Sequence, residues 1–365
     1  MTRVLLQIRS DAFDRPGGDT VQLQRTAGAL RTLGVDAVIS TETEPPLAGF
    51  DLVHLFNVTS PLEPYLQALH AKRHGAPIAL STVYWPQDEY ERMSGVRRSL
   101  RAPLRAAALR ALDRVLPAKS ATRERLGSRL VEARLGRRGL QRALLEMAGV
   151  WLPNARAEHE RVAADFGLDR PAVVVPNAVD GAFAAADPAE FVAQTGLRDF
   201  VLCVARIEPR KNHLALVRAA TAIGRPLVAI GWIASEPYWA QCQRAAGVRL
   251  VHIGQSQPSF VASALAAAAV HALPSWYETP GLASLEAALA GCRVVSTDRG
   301  TAREYLGDLA HYCDPLSVES IRTAIEAALA APVPPRLRAL VGERYTWEAA
   351  AKATAEGYRL LLGRA

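Results

Sequence analysis

Two series of short apolar segments, each segment followed by a stretch with helical spacing, constrain the fold of this chain most strongly. The first series begins with RVLLQI at residues 3–8, and the second with FVLCVARI at residues 200–207. Uniformly apolar strands that alternate with helices are typical of parallel sheets covered by helices on both faces. The chain has 365 residues, which is more than one hydrophobic core usually serves. The sequence therefore predicts an α/β protein with two doubly wound, Rossmann-like parallel-sheet domains facing a cleft.

The apolar segments also set the expected domain bounds. In the first series we expect strands at 3–8, 36–40, 51–56, 77–84, 149–154 and 172–180. In the second series we expect strands at 200–207, 226–232, 249–254, 269–275 and 293–298. We expect a linker over 181–198 and a terminal helix over 347–362. The sequence thus predicts an N-terminal domain at 1–182, a C-terminal domain at 198–346 and a terminal segment at 347–365.

Composition excludes several classes of protein. Half of the residues are hydrophobic and 22% are charged, which is typical of a globular protein rather than a disordered one. The four cysteines are far apart and form no CxxC motif, so a disulfide framework or zinc site is not expected. The least polar stretch, residues 260–273, is shorter than the roughly 20 residues that span a bilayer. These features favour a cytoplasmic protein.

The positive charge of the chain is concentrated in residues 97–142. This segment holds fourteen lysines and arginines against three acidic residues. Leu104, Ala108 and Leu112 fall on one face of a predicted helix, away from the arginines. One interpretation is an interfacial helix that contacts anionic lipids and lipid-linked molecules at the inner face of the membrane. The other is a helical insertion that packs its leucine face on the N-terminal domain. Nucleic-acid binding is disfavoured, because no aromatic residues interleave with the arginines.

The motif ARIEPRKNH, at residues 205–213, combines cations with the start of a helix. Arg206 is expected at the end of a strand, and Lys211 at the opening of the following helix. Two cations beside a helix N-terminus at the mouth of a parallel strand form an anion site. The alternative is a solvated loop with ordinary surface charge.

The block YETPGLASLEAALAG, at residues 277–291, places two glutamates eight positions apart. Glu278 is expected at the end of a strand, and Glu286 on a helix among leucines and alanines. Pro280 suits the first turn of that helix, and Gly281 allows a ligand to approach the backbone. A carboxylate on an otherwise apolar helix needs a partner, and a ribose diol is one. A surface glutamate with a nearby cation is the alternative for Glu286.

Phosphate recognition without a metal is the expectation for this chain. Gly17 and Gly18 precede a helix after the first strand, but they do not form the GxGxxG motif of dinucleotide sites. They could pass close to a phosphate or sugar, or they could form only a turn. The chain contains no Asp-x-Asp triplet, so a metal-chelating diphosphate site is not supported. Arg206, Lys211 and helix dipoles would then neutralise a diphosphate, and we expect no metal and no cofactor.

Together these motifs resemble those of the GT-B glycosyltransferases of family four, which are retaining nucleotide-sugar enzymes. The resemblance covers almost the whole chain, and its most specific part is the YETPGLASLEAALAG block. The matching segments are PGGDTVQL, VHLFN, LPNARAE, VVPNAVD, ARIEPRKN, the YETPGLASLEAALAG block and the final TWE helix. The resemblance implies a GT-B fold, with the terminal segment crossing back to an acceptor-side N-terminal domain.

The resemblance also implies roles for individual residues. Glu278 would contact the hydroxyls of the donor sugar, Glu286 would hold the ribose, and Arg206 with Lys211 would neutralise the diphosphate. Gly17 and Gly18 would close the site from the other domain. The backbone lining the sugar and phosphate would come from Thr279, Pro280, Gly281, Leu282 and Ala283, and the base would lie near Gly254 and Gln255. The leaving phosphate would help to deprotonate the acceptor.

Two positions depart from the pattern of that family. Tyr84 stands where many relatives have a histidine, and a phenol is a poor base near neutral pH. His54 could serve as the acceptor-side group instead, or it could be a satisfied histidine at a strand end. Many relatives also have phenylalanine at the position of Pro280.

The expected function is therefore transfer of a hexose from GDP-mannose or a UDP-hexose to a glycan or lipid-linked acceptor. By resemblance, the setting would be surface polysaccharide biosynthesis. Two alternatives stay open, a GT-B nucleotide-sugar epimerase and a non-catalytic sugar-nucleotide-binding protein.

Overall fold

The computed structural model describes residues 2–93, 121–333 and 335–363. The chain forms two compact units. The first comprises Met1–Val175 together with Ala351–Ala365, and the second comprises Pro176–Ala350. Much of the basic segment predicted at 97–142 lies outside the described residues, including the apolar face proposed for its helix. Its C-terminal part is the kinked helix Ala121–Met147, in which Gly136 departs from helical geometry (φ 66°, ψ 169°).

The first unit is a parallel α/β sheet. Its elements are β1 Arg3–Gln7, α1 Gly18–Thr32, β2 Asp36–Ser40, β3 Leu52–Phe56, α2 Leu62–Arg73, β4 Ile78–Ser81, α3 Asp88–Met93, α4 Ala121–Met147, β5 Val150–Trp151 and α5 Arg156–Phe166. The described strands run in the order β2-β1-β3-β4-β5, and every pairing is parallel. The direction of strand order reverses between β1 and β3, which is where sheets of this kind bind ligands at their carboxyl edge.

The second unit repeats the architecture. Its elements are α6 Ala189–Thr195, β6 Val201–Val204, α7 His213–Ile223, β7 Leu227–Ile230, α8 Glu236–Ala245, β8 Leu250–Ile253, α9 Pro258–Ala267, β9 Val270–Leu273, α10 Leu282–Leu289, β10 Val294–Thr297, α11 Ala302–Leu306, β11 His311–Cys313, α12 Val318–Ala330, α13 Pro335–Arg344 and the start of α14 Trp347–Leu362. The described strands run in the order β11-β10-β9-β6-β7-β8, all parallel. Here the order reverses between β6 and β9.

Apolar strands explain why both sheets are buried. Each residue of β3 and β4 is buried, as is each residue of β7, β9 and β10. On folding, side chains on both faces of the sheet are removed from water. Such burial contributes about 25 cal/mol of folding free energy per Å² of apolar surface. The predicted fold class, two Rossmann-like parallel-sheet domains, is confirmed.

Two expectations about the middle of the chain were wrong. Residues 172–180 form no strand, and only Ala172 makes an isolated bridge, to Trp151. The N–H of Val175 still donates to the carbonyl of Pro153. Pro153 has no N–H with which to donate a hydrogen bond in the opposite direction, so the hydrogen bonding between the two segments is interrupted. The expected linker at 181–198 is ordered structure, because Phe191 on α6 is fully buried against Phe200, with ring centroids 5.1 Å apart.

Candidate functional site

The loops after β6 and β9 meet at the switch point of the second sheet. These strands are hydrogen-bonded neighbours, with Val201 opposite Val270 and Leu202 opposite His271. In parallel sheets with this reversal, the crevice outside the carboxyl ends of the two strands is the usual ligand site. The loop after β6 carries ARIEPRKN, and the loop after β9 carries WYETPG. The topology alone therefore brings together the two motifs that the sequence singled out.

A buried ion pair joins these two loops. The Nζ atom of Lys211 lies 2.5 Å from Oε1 of Glu278, and the two side chains are only 13% and 7% exposed. Burial alone would raise the pKa of Glu278, but Lys211 and Arg210 hold it below its ordinary value. Burial and the neighbouring Arg210 lower the pKa of Lys211. The loops at the carboxyl edge of this sheet thus hold an ionised carboxylate paired with a buried cation.

Further charges surround this pair. Oε1 of Glu208 accepts from Nη2 of Arg206 at 3.3 Å and from Nε of Arg210 at 3.2 Å. Arg206 is 38% exposed, whereas Arg210 is 20% exposed. The cluster of Arg206, Glu208, Arg210, Lys211 and Glu278 carries one more positive than negative charge, so it suits an anionic ligand.

Lys211 does not open the following helix, in contrast to the expectation from the sequence. It ends a turn of 3₁₀ helix at Pro209–Lys211, and α7 begins at His213 after Asn212. The side-chain amide of Asn212 donates to the carbonyls of Pro274 and Pro315, at 3.1 and 2.9 Å. This amide anchors the cation-bearing loop to the loop after β9.

The backbone of Glu278 is held by the loop after β10. Its N–H donates to the carbonyl of Arg299 at 3.3 Å, and its carbonyl accepts from the N–H of Thr301 at 2.9 Å. Gly300 between them has φ +99°, and a Cβ built there would lie 2.0 Å from the carbonyl oxygen of Glu278. Only glycine permits this approach.

Residues 279–283 lead from Glu278 into helix α10. The helix begins at Leu282, with Gly281 as its N-cap residue at φ +88°. Nδ2 of Asn177 donates to the carbonyl of Thr279 at 3.3 Å, which fixes the chain ahead of the helix. Glu286 is half-buried on α10, two residues beyond the buried Ser284. The positive end of the α10 dipole therefore lies next in sequence to the Glu278 carboxylate.

The structure leaves the expected base-binding residues outside this cluster. Gly254 and Gln255 are exposed and follow β8, the last described strand on that side of the sheet. They share the carboxyl edge with the cluster, but strands β6 and β7 lie between β8 and β9. Their role stays a prediction.

In the first unit, an ion pair and a side-chain hydrogen bond hold the loop that contains Gly17. Gly17 is the N-cap residue of α1. Arg9 Nε donates to Asp19 Oδ2 at 3.0 Å, and Asn57 Nδ2 reaches the same oxygen at 3.3 Å. These contacts join the loop after β1 to the loop after β3, at the switch point of the first sheet. Gly17 and Gly18 thus lie where a ligand of this sheet is expected.

His54 is a core residue. Its side chain is buried, Nδ1 lies 2.8 Å from the hydroxyl of Tyr358 and Nε2 lies 2.9 Å from Oγ of Ser81. Burial lowers the pKa of His54 to about 3, so the ring is neutral at physiological pH. Tyr358 lies on α14, in the part of that helix that belongs to the first unit. This geometry favours a satisfied core histidine over an acceptor-side base, although His54 lies in the middle of β3 rather than at its end.

The side chain of Tyr84 also lies in the core of the first unit. Its hydroxyl donates to Oδ2 of Asp165 at 2.8 Å, and its ring packs edge-on against Phe166 with centroids 5.4 Å apart. Burial and the Asp165 carboxylate raise the pKa of Tyr84. The phenol therefore does not act as a base at neutral pH, and a direct catalytic role for it stays a prediction that the geometry does not favour.

A buried carboxylate missed in the sequence holds the segment around Tyr84. Glu158 on α5 is fully buried. It accepts from the hydroxyl of Thr82, from the N–H of Tyr84 at 2.9 Å and from the N–H of Asn154 at 3.0 Å. Oδ1 of Asn154 in turn accepts from the side-chain amide of Gln22 on α1 at 2.8 Å. One carboxylate therefore fixes the carboxyl ends of β4 and β5.

Two kinds of feature are absent from the described residues. No helix there is long and apolar enough to cross a membrane. No group of three or more histidine, cysteine, aspartate or glutamate side chains there could hold a metal ion.

Known proteins share this architecture. The sucrose-phosphate synthase of Thermosynechococcus elongatus superposes with a TM-score of 0.74 at 18% identity, covering 100% of both chains. The Anabaena HepE protein, solved in complex with UDP-glucose, superposes with a TM-score of 0.71 at 15% identity, covering 98% of this chain and 99% of HepE. This chain has the GT-B fold. At these identities the likeness of the GT-B structures establishes the fold alone.

The sequence of the second unit adds a similarity to a protein family for that part of the chain. Residues 198–331 match the model of the family described as glycosyl transferases group 1. The matched range contains the whole charged cluster, both glutamates and helix α10. No curated protein matches the chain by sequence. Residues 198–331 of the second unit are thus similar to the glycosyl transferases group 1 family.

Proposed function

We propose that the protein is a retaining glycosyltransferase that transfers a hexose from a nucleotide diphosphate sugar. One observation carries the proposal, the buried Lys211–Glu278 pair at the switch point of the second sheet, next to the N-terminus of α10. The carboxylate can accept hydrogen bonds from the hydroxyls of the sugar. The cations can attract the phosphates, so the pair matches the two halves of such a donor. The group 1 glycosyltransferase match over residues 198–331 supports the same substrate class.

Four charged residues have a proposed part in donor binding. The diphosphate would bind to Arg206, which is the more exposed arginine of the cluster, and to Lys211. Glu278 would accept hydrogen bonds from the sugar hydroxyls, and Glu286 would hold the ribose. The backbone of residues 279–283 would contribute the N–H groups and dipole of α10. Gly17 and Gly18 are proposed to contact a phosphate or sugar at the switch point of the first sheet.

Stabilisation of the departing diphosphate is the proposed catalytic contribution of the protein. Cations and a helix dipole that are fixed before the reaction stabilise developing negative charge without reorganisation. The leaving phosphate would accept the proton of the acceptor hydroxyl on the same face of the sugar. No separate base is required, which agrees with the buried, neutral His54 and the high pKa of Tyr84. No metal is assigned a step in this scheme.

The donor is proposed to be a UDP-hexose or GDP-mannose. The complexes of the Anabaena HepE protein with UDP-glucose and UDP make UDP-glucose the first donor to test. The acceptor is proposed to be a glycan or a lipid-linked sugar in surface polysaccharide biosynthesis, handled by a cytoplasmic protein. The basic segment at 97–142 is proposed to attach the protein to an anionic membrane surface. Attachment to vesicles of anionic phospholipid should weaken as salt increases, whereas absence of binding at low salt would exclude it.

The test of the enzymatic proposal is donor turnover. Purified protein is incubated with UDP-glucose or GDP-mannose, with and without simple glycoside acceptors, and nucleoside diphosphate release is measured. We expect release with one donor, and loss of at least roughly 100-fold in Glu278→Gln although the nucleotide still binds. Glu319→Gln is the matched control, since Glu319 pairs with Arg322 on the surface of the same unit. The configuration of the new glycosidic bond, read by NMR, tests retention.

A non-catalytic sugar-nucleotide-binding protein is the second candidate. The observation that favours it is Tyr84, whose buried hydroxyl is held by Asp165 where many relatives have a histidine. Binding of a nucleotide sugar with neither hydrolysis nor transfer would support this candidate. Interconversion of the free donor into an epimer would instead indicate the epimerase alternative.

A further inference from the structure

Arg210 touches both the loop after β6 and the residues that precede Glu278. Its Nη1 atom donates to the carbonyl of Tyr277 at 3.4 Å, and its guanidinium carbon lies 5.1 Å from the centre of the Tyr277 ring. In the opposite direction, the N–H of Trp276 donates to the carbonyl of Arg210 at 2.9 Å. The two residues ahead of Glu278 are therefore bound by one arginine, through its backbone and its side chain.

The guanidinium is itself fixed in this position. Nε of Arg210 donates to Oε1 of Glu208 at 3.2 Å. The planar fork thus binds a carboxylate on one side and a carbonyl on the other, an arrangement that a lysine ammonium cannot reproduce at both points. Arg210 and Glu208 are each 20% exposed, so both ends of this connection are largely withdrawn from water.

Arg210 differs in this respect from the other two cations. Lys211 contacts the Glu278 carboxylate directly, and Arg206 is the most exposed of the three. Arg210 instead directs its hydrogen bonds to Glu208 and to the backbone of Tyr277, and its positive charge helps to keep Glu278 ionised.

We propose that Arg210 is the positioning residue for Glu278, and that it sets affinity for the sugar of the donor rather than for the diphosphate. This inference rests on the proposed function of the Glu278 site. The carboxylate must meet sugar hydroxyls within hydrogen-bond distance, and displacement of a binding group by about 1 Å is enough to lose such contacts. Fixing residues 276 and 277 limits where the carboxylate can lie.

The test compares nucleotides with and without the sugar. Dissociation constants are measured by calorimetry for UDP and UDP-glucose, and for GDP and GDP-mannose, and the pair that binds the wild-type protein is used. In Arg210→Met we expect the dissociation constant for the nucleotide sugar to weaken at least roughly fivefold more than the constant for the nucleoside diphosphate. Arg210→Lys retains the charge but not the fork, and it should show the same selective loss. Glu278→Gln should reproduce the pattern.

Arg225→Met is the matched control. Arg225 also joins a carboxylate and a carbonyl, both from Asp199, but it precedes β7 at the opposite edge of the same sheet. We expect this variant to bind all nucleotides as the wild type does. Melting temperatures of the variants report folding, and Arg210→Lys provides the comparison if Arg210→Met does not fold.

The outcomes separate the two proposals. Equal loss of affinity for UDP and UDP-glucose in the Arg210 variants would show that Arg210 binds the diphosphate, and this would overturn the inference. No change for either nucleotide would overturn it as well. If the wild-type protein binds none of these nucleotides, the proposed function itself fails.

Discussion

Replacing Gly300 by alanine should displace Glu278 and leave most of the second unit intact. The added Cβ would lie 2.0 Å from the carbonyl oxygen of Glu278 and 2.8 Å from its nitrogen. Because real Cβ atoms do not approach closer than 3.0 Å, the two backbone segments must separate by about 1 Å. The φ angle of +99° adds about 1–2 kcal/mol of backbone strain for a residue with a Cβ.

The strain and the clash can be measured separately. Gly291 has φ +81°, and a Cβ added there would meet nothing within 4 Å, so Gly291→Ala carries the strain alone. We expect Gly291→Ala to lower the free energy of unfolding by about 1 kcal/mol and Gly300→Ala by about 3 kcal/mol, because the latter also loses the bond from the Thr301 N–H. Urea denaturation measures both values.

The functional consequence is assayed by donor turnover. A displacement of about 1 Å in Glu278, the group proposed to contact the sugar, should reduce nucleoside diphosphate release on the order of 100-fold in Gly300→Ala. Gly291→Ala should retain the wild-type rate, because no contact of Glu278 changes. Equal rates and equal stabilities in the two variants would refute the argument that Gly300 holds Glu278 in place.

Three further predictions concern stability. Glu278→Gln and Lys211→Met should each lower the free energy of unfolding by about 3 kcal/mol, because each change leaves a buried charge unpaired. The double variant should lower it by less than the sum of the two single changes. Additive effects in urea denaturation would contradict this. Glu158→Gln should cost about 2 kcal/mol by weakening charge-assisted bonds, whereas Glu160→Gln, exposed on the same helix, should cost nothing measurable. Acidification should destabilise both units, because three of the buried histidines have pKa values of about 3, well below the ordinary 6.5. Their stabilising neutral forms are fully present above about pH 6.5 and are lost as the pH falls from there towards about 3, which costs about 2 kcal/mol per histidine at about pH 5. These histidines are His54, His213 and His271. Hydrogen exchange should therefore show the larger loss of amide protection in the second unit. Equal protection at about pH 7 and about pH 5 would contradict the predicted loss of stability on acidification.

The architecture could be predicted from the sequence because buried parallel strands appear as uniformly apolar segments. Segments such as 3–8 and 226–232 are apolar without alternation, and helical spacing follows each of them. The segment at 172–180 looked like another strand for the same reason. Its pairing is lost because Pro153 on the neighbouring segment cannot donate a hydrogen bond, which is a tertiary effect that composition does not reveal.

The candidate site was only partly readable. Glu278 could be placed at the end of a strand and Lys211 at the opening of a helix, but their direct pairing depends on how two distant loops fold. Arg210 lies beside Lys211 in the motif, yet nothing in the spacing shows that it turns towards Tyr277 rather than towards a ligand. Gly300 left a recognisable signal, since an isolated glycine after a strand often marks close backbone approach.

In the first unit, burial was the quantity that the sequence could not supply. His54 lies in the middle of β3, and in the sequence a ligand-facing histidine and a core histidine look identical. Its contacts with Tyr358 and Ser81 join residues up to 304 positions apart. Glu158 lies in the segment LPNARAE, which indicated only a family resemblance, although three donors converge on this carboxylate.

The central claim is that the crevice between β6 and β9 binds the diphosphate of a nucleotide sugar. Calorimetric titration of UDP and GDP into the wild-type protein and Lys211→Met tests it most directly, with Arg225→Met as control. The account predicts that one nucleotide binds to the wild type and to Arg225→Met with the same affinity, and at least roughly tenfold more weakly to Lys211→Met. Equal affinity in Lys211→Met, or no binding of either nucleotide to the wild type, would contradict it.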